Sequence, residues 1–245
     1  MTEVDHQVPV KQQAEDKIVT IPDTVERRLH PLKQRWTFWY LNDQRTLSWE
    51  ERLKAICTFS TVEEFWALYN NIRPPSGLAT TCDYNVFKEG IQPMWEVEEN
   101  AKGGRWLINI EKGRPQEIMD LIWLETIIAT IGEQFGQDQE LICGLVCNVR
   151  SKGSKISVWT RDHTADEGNL RIGNILRQKL LSANIPSHLP NVPLFDTLRY
   201  EDHDSCQKKS GSVVKARLHI NAVEKMERPD GPQDQPQQPS PPPQQ

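Results

Sequence analysis

Two apolar runs, LICGLVCNVR (141–150) and ISVWTR (156–161), are joined by the polar stretch SKGSK. Both runs are rich in residues that suit a pleated surface. A polar, Gly-containing joint this short closes only an antiparallel pair. A chain holding such a hairpin must build a sheet with antiparallel neighbours, and the remaining segments have to pack on it.

Other segments carry the same two-residue period. In QRWTFWYLND (34–43), Trp36, Phe38 and Tyr40 fall on one face and Thr37, Trp39 and Leu41 on the other. GRWLINIE (104–111) alternates as a strand. LFDTLRYE (194–201) and VVKARLHI (213–220) read as late strands separated by the polar loop DHDSCQKKSGS.

Three segments have helical period instead. STVEEFWALYNNI (60–72) opens with the capping-box pair Thr61 and Glu64, and Val62, Phe65, Trp66, Tyr69 and Ile72 recur at helical spacing. Pro74 and Pro75 end it. PQEIMDLIWLETIIATIGEQF (115–135) starts at Pro115 and is long and apolar enough to pack on a sheet. NLRIGNILRQKLLSANI (169–185) is a third amphipathic helix. Hairpins with helices on one side make a single α+β domain. Trp36, Trp39, Trp106 and Trp123 sit inside periodic segments and are expected in the core.

The domain is expected over 29–222. RPDGPQDQPQQPSPPPQQ at the end has no apolar periodicity and is Pro/Gln-rich, which predicts a disordered tail over 223–245. The polar start predicts another over 1–28. No run of 18 or more apolar residues spans a membrane, and the acidic, polar N-terminus is no secretory signal. The five cysteines include no close CxxC, which points to reduced thiols in the cytosol or nucleus. On a strand, Cys143 and Cys147 would share one face about 13 Å apart, at ~3.3 Å per residue, too far for a disulfide.

A net charge of −5 argues against general coating of nucleic acid, so any such role needs a local patch. The aromatic balance points to one. Eight Trp stand against six Phe and four Tyr, although Trp ordinarily trails both. Trp49 lies in RTLSWEERL. Trp95 and Glu96 follow Pro93 in GIQPMWEVEE. Arg150, Lys152 and Lys155 crowd the hairpin joint, and Trp159 follows four residues later. Indole faces bind bases, and cationic bases more strongly. A carboxylate accepts two parallel hydrogen bonds from the guanine edge, which adenine lacks. Arg and Lys take phosphates. Together these suit a charged purine with phosphates. Ser48–Glu51 is a second capping-box pattern, which would put Trp49 in the first turn of a helix.

The segments HPLKQRWTFWYLND, TVEEFWALYNNI, CDYNVFKEGIQPMWE, GGRWLI, IWLETIIATIGEQF, CNVRSKGSKISVWTR and KKSGSVVKAR together resemble the translation initiation factor 4E family, the messenger-RNA cap-binding proteins. Trp36 and Trp49 match the principal class rather than its repressor-like relatives. The resemblance implies a strongly curved antiparallel sheet with three helices on its convex face and the cap on its concave face. It implies that Trp49 and Trp95 sandwich 7-methylguanine and that Glu96 holds its Watson–Crick edge. Arg150 and Lys155 would bind the triphosphate with Arg105 nearby, and Trp159 would sit beside the N7-methyl group. It also implies a loop around Trp49, with a helical turn after it.

On the back, the resemblance implies a docking site of His30, Pro31, Val62, Trp66, Leu124, Glu125 and Ile128. Its partners would be the initiation scaffold (factor 4G type) and 4E-binding inhibitory proteins, each through a helix carrying Tyr-x4-Leu and an apolar residue. Periodicity alone would bury Trp66. Ser212 in KSGS would be a phosphorylation site near Lys208 and Lys209. A cytoplasmic factor, also nuclear, follows, with no cofactor and no metal. The rivals are a cap hydrolase or nucleotide transferase, for which no nucleophile–base pair or phosphate loop is present, and a cap-binding repressor. Cys147, where the commonest pattern has Val, resembles members that also accept the trimethylguanosine cap. The segments around Trp49 and Cys147 are expected to set the pocket width for it.

Overall fold

The computed structural model describes residues 28–189, 193–207 and 215–223. The two expected tails lie almost wholly outside them, as do Lys208, Lys209 and Ser212. In chain order the elements are β1 (Pro31–Leu41), α1 (Trp49–Arg52), β2 (Leu53–Thr61), α2 (Val62–Tyr69), β3 (Asp83–Lys88), α3 (Glu98–Ala101) and β4 (Gly104–Glu111). There follow α4 (Gln116–Ile131), β5 (Ile142–Asn148), β6 (Gly153–Thr160), α5 (Asp166–Leu181), β7 (Thr197–Asp202), α6 (His203–Gln207) and β8 (Leu218–Asn221). The strands form one sheet in the order β2-β1-β3-β5-β6-β4-β7-β8. Every neighbouring pair is antiparallel.

The expected hairpin is β5–β6, in register at Leu145↔Val158 and Cys147↔Ile156. Its turn returns through Gly153 at φ +130°, a conformation open to glycine. Alternation then sorts side chains by face. Trp36, Phe38, Val86, Trp106, Ile108, Leu145, Ile156, Val158, Leu198 and Tyr200 point to the main core. Phe65 of α2, Ile122 and Trp123 of α4, and Ile172 and Leu176 of α5 meet them there. Burying each such side chain contributes about 1.5–3 kcal/mol. The α5 helix approaches closely because Gly173 sits against the Trp106 ring, where a Cβ would come within 2.3 Å of it. The Trp106 indole N–H donates to Asn169 O at 2.8 Å.

Local signals formed where their partners are local. Thr61 Oγ1 accepts from Glu64 N at 3.2 Å, and Thr61 N donates to the Glu64 carboxylate at 3.2 Å, so both halves of the expected box close. Within α4 the buried hydroxyls of Thr126 and Thr130 donate to Ile122 O and Thr126 O one turn back, which satisfies them inside an apolar helix.

Several expectations need correction. Trp39 is half-buried and faces away from the main core, unlike Trp36, Trp106 and Trp123. Strand β3 was not expected as a strand; all six of its residues are buried, three of them polar. The late strands are shorter than their apolar runs, and the polar loop between them opens with the helical turn α6. Cys143 and Cys147 do not share a face. An irregularity in β5 between Ile142 and Gly144 puts Cys143 with Phe87, Val146 and Trp159, while Cys147 joins the main core. Both are free thiols, and burial pushes Cys143 up to about 11 and Cys147 higher still.

Candidate functional site

The face of the sheet opposite α2, α4 and α5 carries a groove of about 500 Å³. Three segments build its rim.

The first is the β1–β2 connection. Ser48 Oγ accepts from Glu51 N at 3.2 Å, and Ser48 N donates to the Glu51 carboxylate at 2.8 Å. These bonds hold the Glu51 carboxyl below its ordinary range. The closed box makes Trp49 the first residue of α1 and leaves it 38% exposed. The local pattern therefore prevails over the loop that the resemblance implied, since both halves of a box lie within one turn. Arg52 pins the other end, donating to Asn42 O at 2.8 Å and to Thr81 O at 3.2 Å.

The second segment follows β3. Asn100 is fully buried, and its amide donates to Gln92 O at 2.9 Å and Met94 O at 2.8 Å. Two bonds from one amide to carbonyls on either side of Pro93 fix the backbone that presents Trp95. The Trp95 ring lies 6.2 Å from Trp159, tilted 37°, and 6.2 Å from His203, nearly parallel at 19°. The Arg105 guanidinium stands 5.9 Å from its centroid. Glu96, beside it, is exposed.

The third segment is the basic hairpin. Arg150 donates from both terminal nitrogens to the two carboxylate oxygens of Asp83 on β3, and to Cys82 O at 3.3 Å. Arg105 donates to Glu201 at 3.0 Å. Both cations are therefore oriented by buried carboxylates. Trp159 is only 5% exposed at the groove floor, edge-on to Phe87 at 5.4 Å.

All seven side chains expected at the site, Trp49, Trp95, Glu96, Arg105, Arg150, Lys155 and Trp159, line this one groove. Lys152 does not; it stays exposed at the hairpin turn. Glu50, Asp83, Asn85, Pro93, Met94, Val146 and Asn148 also line it and escaped the sequence reading. Asp83, Asn85, Val146 and Asn148 are the groove-facing positions of β3 and β5, cross-strand neighbours at Asn85↔Val146 and Asp83↔Asn148. Their signal was the register between two strands, one of them not read as a strand. Cys147 does not line the groove, so it cannot set its width by contact. Its neighbours Val146 and Asn148 do line it.

Chemically, the groove offers two partly exposed indoles, two solvent-facing carboxylates, Glu96 beside Trp95 and Glu50 beside Trp49, and fixed cations. That set suits a flat cationic ring with donors along one edge and an anionic tail.

The opposite face carries a second surface. Val62 and Trp66 on α2 are 37% and 36% exposed. Trp66 is propped edge-on against Tyr69 at 5.8 Å rather than covered. Leu124, Glu125 and Ile128 are half-buried on the outward side of α4, and His30 and Pro31 are exposed alongside. His30 Nδ1 bonds the Glu63 carboxylate at 2.6 Å, and its backbone N–H donates to the other oxygen at 2.9 Å. These bonds bring Glu63 down to about 2. All seven expected docking residues are thus placed on the helix side, and Trp66 is not core.

The model of the family "Eukaryotic initiation factor 4E" matches residues 31–217. Eukaryotic translation initiation factor 4E-1 of Caenorhabditis elegans is 63% identical over 194 residues, covering 79% of this chain and 90% of the relative. Ascaris suum eIF4E-3, solved with an m2,2,7G cap, superposes with a TM-score of 0.69 at 49% identity, over 79% of this chain and 99% of that one. The same factor has been solved with an m7G cap (TM-score 0.68, 48% identity, 79% and 98% covered). C. elegans eIF4E-3, solved with the 4E-binding protein Mextli, gives a TM-score of 0.68 at 44% identity, over 79% of this chain and 100% of that one.

Proposed function

This chain belongs to the eukaryotic initiation factor 4E family, and on that premise we propose that its groove binds the 7-methylguanosine cap of messenger RNA while its opposite face recruits the initiation scaffold. It is a binding factor of translation initiation rather than an enzyme. One observation carries the assignment of residues: two partly exposed indoles, a free-standing carboxylate and two oriented guanidinium groups line a single groove. Trp49 and Trp95 take the two faces of the base. Glu96 accepts from its N1–H and N2–H. Arg150 and Lys155, with Arg105, take the triphosphate, and Trp159 meets the N7-methyl group.

Methylation at N7 makes the base a cation. Each stacking face is worth ~1–3 kcal/mol, and a desolvated cation–π contact adds about 2 kcal/mol. Loss of that charge accounts for roughly two orders of magnitude, at ~1.4 kcal/mol per tenfold. The test is a titration of intrinsic Trp fluorescence with 7-methyl-GTP and with GTP. The expected result is about a hundredfold preference for the methylated nucleotide; equal affinity overturns the assignment.

A second reading concerns the trimethylguanosine cap, and what favours it is a relative at 49% identity solved with an m2,2,7G cap. Two methyl groups on N2 remove both of its donors, so Glu96 keeps the N1–H alone. Contact of the added methyls with the groove wall would offset that loss. The domain that does this is 29–222. Its docking face takes the scaffold and 4E-binding proteins through an amphipathic helix laid on Trp66, and Ser212 is a phosphorylation site. The place of action is the cytoplasm, and also the nucleus. Among the described residues no helix is long and apolar enough to cross a membrane.

A further inference from the structure

His203 is a fully buried titratable group beside the groove that the cap assignment leaves unused. It is 0% exposed and opens α6, directly after β7. Its ring lies nearly parallel to Trp95, with centroids 6.2 Å apart and planes 19° apart, and 4.4 Å from the Trp159 centroid. Its Nδ1 is 2.8 Å from Asn100 O. A carbonyl only accepts, so Nδ1 carries the proton. Asn100 is the residue whose amide holds Gln92 O and Met94 O around Pro93. One imidazole thus packs against Trp159, lies nearly parallel to Trp95 on its buried side, and anchors the clamp that presents Trp95.

We propose that His203 is a positioning residue for the methylated base, holding Trp95 and Trp159 at the spacing that lets both rings act on it. The inference rests on the cap-binding reading. Its physical basis is preorganisation: a ring that must be ordered on binding weakens the complex by the cost of ordering it. Trp95 stands on a loop, and without a ring behind it the indole can turn into the space vacated. The charge state fits this role. Burial, with the nearby Arg105 guanidinium, lowers His203 to about 4, against the opposing pull of its bond to Asn100. At neutral pH it therefore adds no positive charge behind a face that must attract a cationic base.

The test compares His203→Ala with His203→Phe in the full chain. Phe keeps an aromatic ring behind Trp95 and loses only the bond to Asn100. Affinities for 7-methyl-GTP and GTP are read by fluorescence, and melting temperature separately. We expect both variants to melt lower than wild type. His203→Ala should lose at least tenfold in 7-methyl-GTP affinity with little change for GTP, so that discrimination shrinks. His203→Phe should stay within threefold of wild type for both. If His203→Ala binds as wild type, or if affinity simply follows melting temperature across the pair, the proposal fails while the cap assignment stands. A wild-type protein that does not prefer 7-methyl-GTP removes both.

Discussion

Both terminal nitrogens of Arg150, in the β5–β6 turn, are bonded to the two carboxylate oxygens of Asp83 on β3, 67 residues apart in sequence. The pair fixes the guanidinium at the groove. Asp83 is 8% exposed at its side chain and Arg150 37%. Removing the arginine therefore strands a nearly buried carboxylate beside the position of an anionic ligand. Arg150→Ala should weaken 7-methyl-GTP binding at least tenfold and 7-methylguanosine binding much less, since only the former has a triphosphate. It should also lower stability, by no more than a few kcal/mol given the exposure of the arginine. Adding Asp83→Asn should restore stability without restoring affinity. Calorimetric titration and thermal melts read the two effects separately.

Trp49→Leu and Trp95→Leu should each weaken 7-methyl-GTP binding by at least tenfold with the fold intact, because neither ring belongs to the main core. Retention on a cap-analogue column measures this, and wild-type retention of either variant refutes the sandwich.

Glu96→Ala should cost more than Glu98→Ala. Glu96 lines the groove, whereas Glu98 begins α3 outside it. Loss of the acceptor leaves two donors of the base unpaired, at ~1–3 kcal/mol. Equal effects would put the base edge elsewhere.

Trp66→Ala should abolish binding of a helical Tyr-x4-Leu peptide and spare the cap, since the two surfaces lie on opposite faces of one sheet. Fluorescence polarisation with a labelled peptide, run beside a cap titration, decides it. Parallel loss of both would make Trp66 a folding residue.

Trimethylated and monomethylated cap analogues should both bind, the monomethylated one at least as well. A preference above a hundredfold would exclude dual recognition.

Stability should fall between about pH 6.5 and pH 4 through His203. In the fold this imidazole is lowered to about 4 from its ordinary 6.5. Above 6.5 it is neutral in both states and its contribution is complete. As pH falls through 6.5 the unfolded chain takes up a proton that the fold refuses, so stability declines until about pH 4, by on the order of 3 kcal/mol. Carboxyls held low, such as Asp162 and Asp166, lose their contribution at still lower pH. Chemical denaturation across this range should show the decline in wild type and a flatter profile in His203→Gln.

The sequence by itself determined whatever depends on neighbours within a turn or along one strand. The β5–β6 hairpin, the long helices α4 and α5 and both capping boxes were legible because their partners lie a few residues away. Even the box at Ser48–Glu51 formed where the resemblance implied a loop. Half of the groove side chains were legible too: Trp49, Trp95, Glu96, Arg150, Lys155 and Trp159 match one ligand chemistry, and the resemblance added Arg105.

Tertiary structure alone decided the rest. Strand β3 hid because Asp83, Asn85 and Lys88 are polar yet buried. Asp83 meets Arg150, and Lys88 reaches Gln139 O and Glu140, partners more than fifty residues away. The irregularity that turns Cys143 from Cys147 arises in pairing with β6, and the exposure of Trp66 depends on which way α2 rests on the sheet. Nothing near His203 in the chain marks its role, which Asn100, Trp95 and Trp159 give it only on folding. Burial and hydrogen-bond satisfaction are set by groups that meet only on folding, so no local pattern in the chain encodes them.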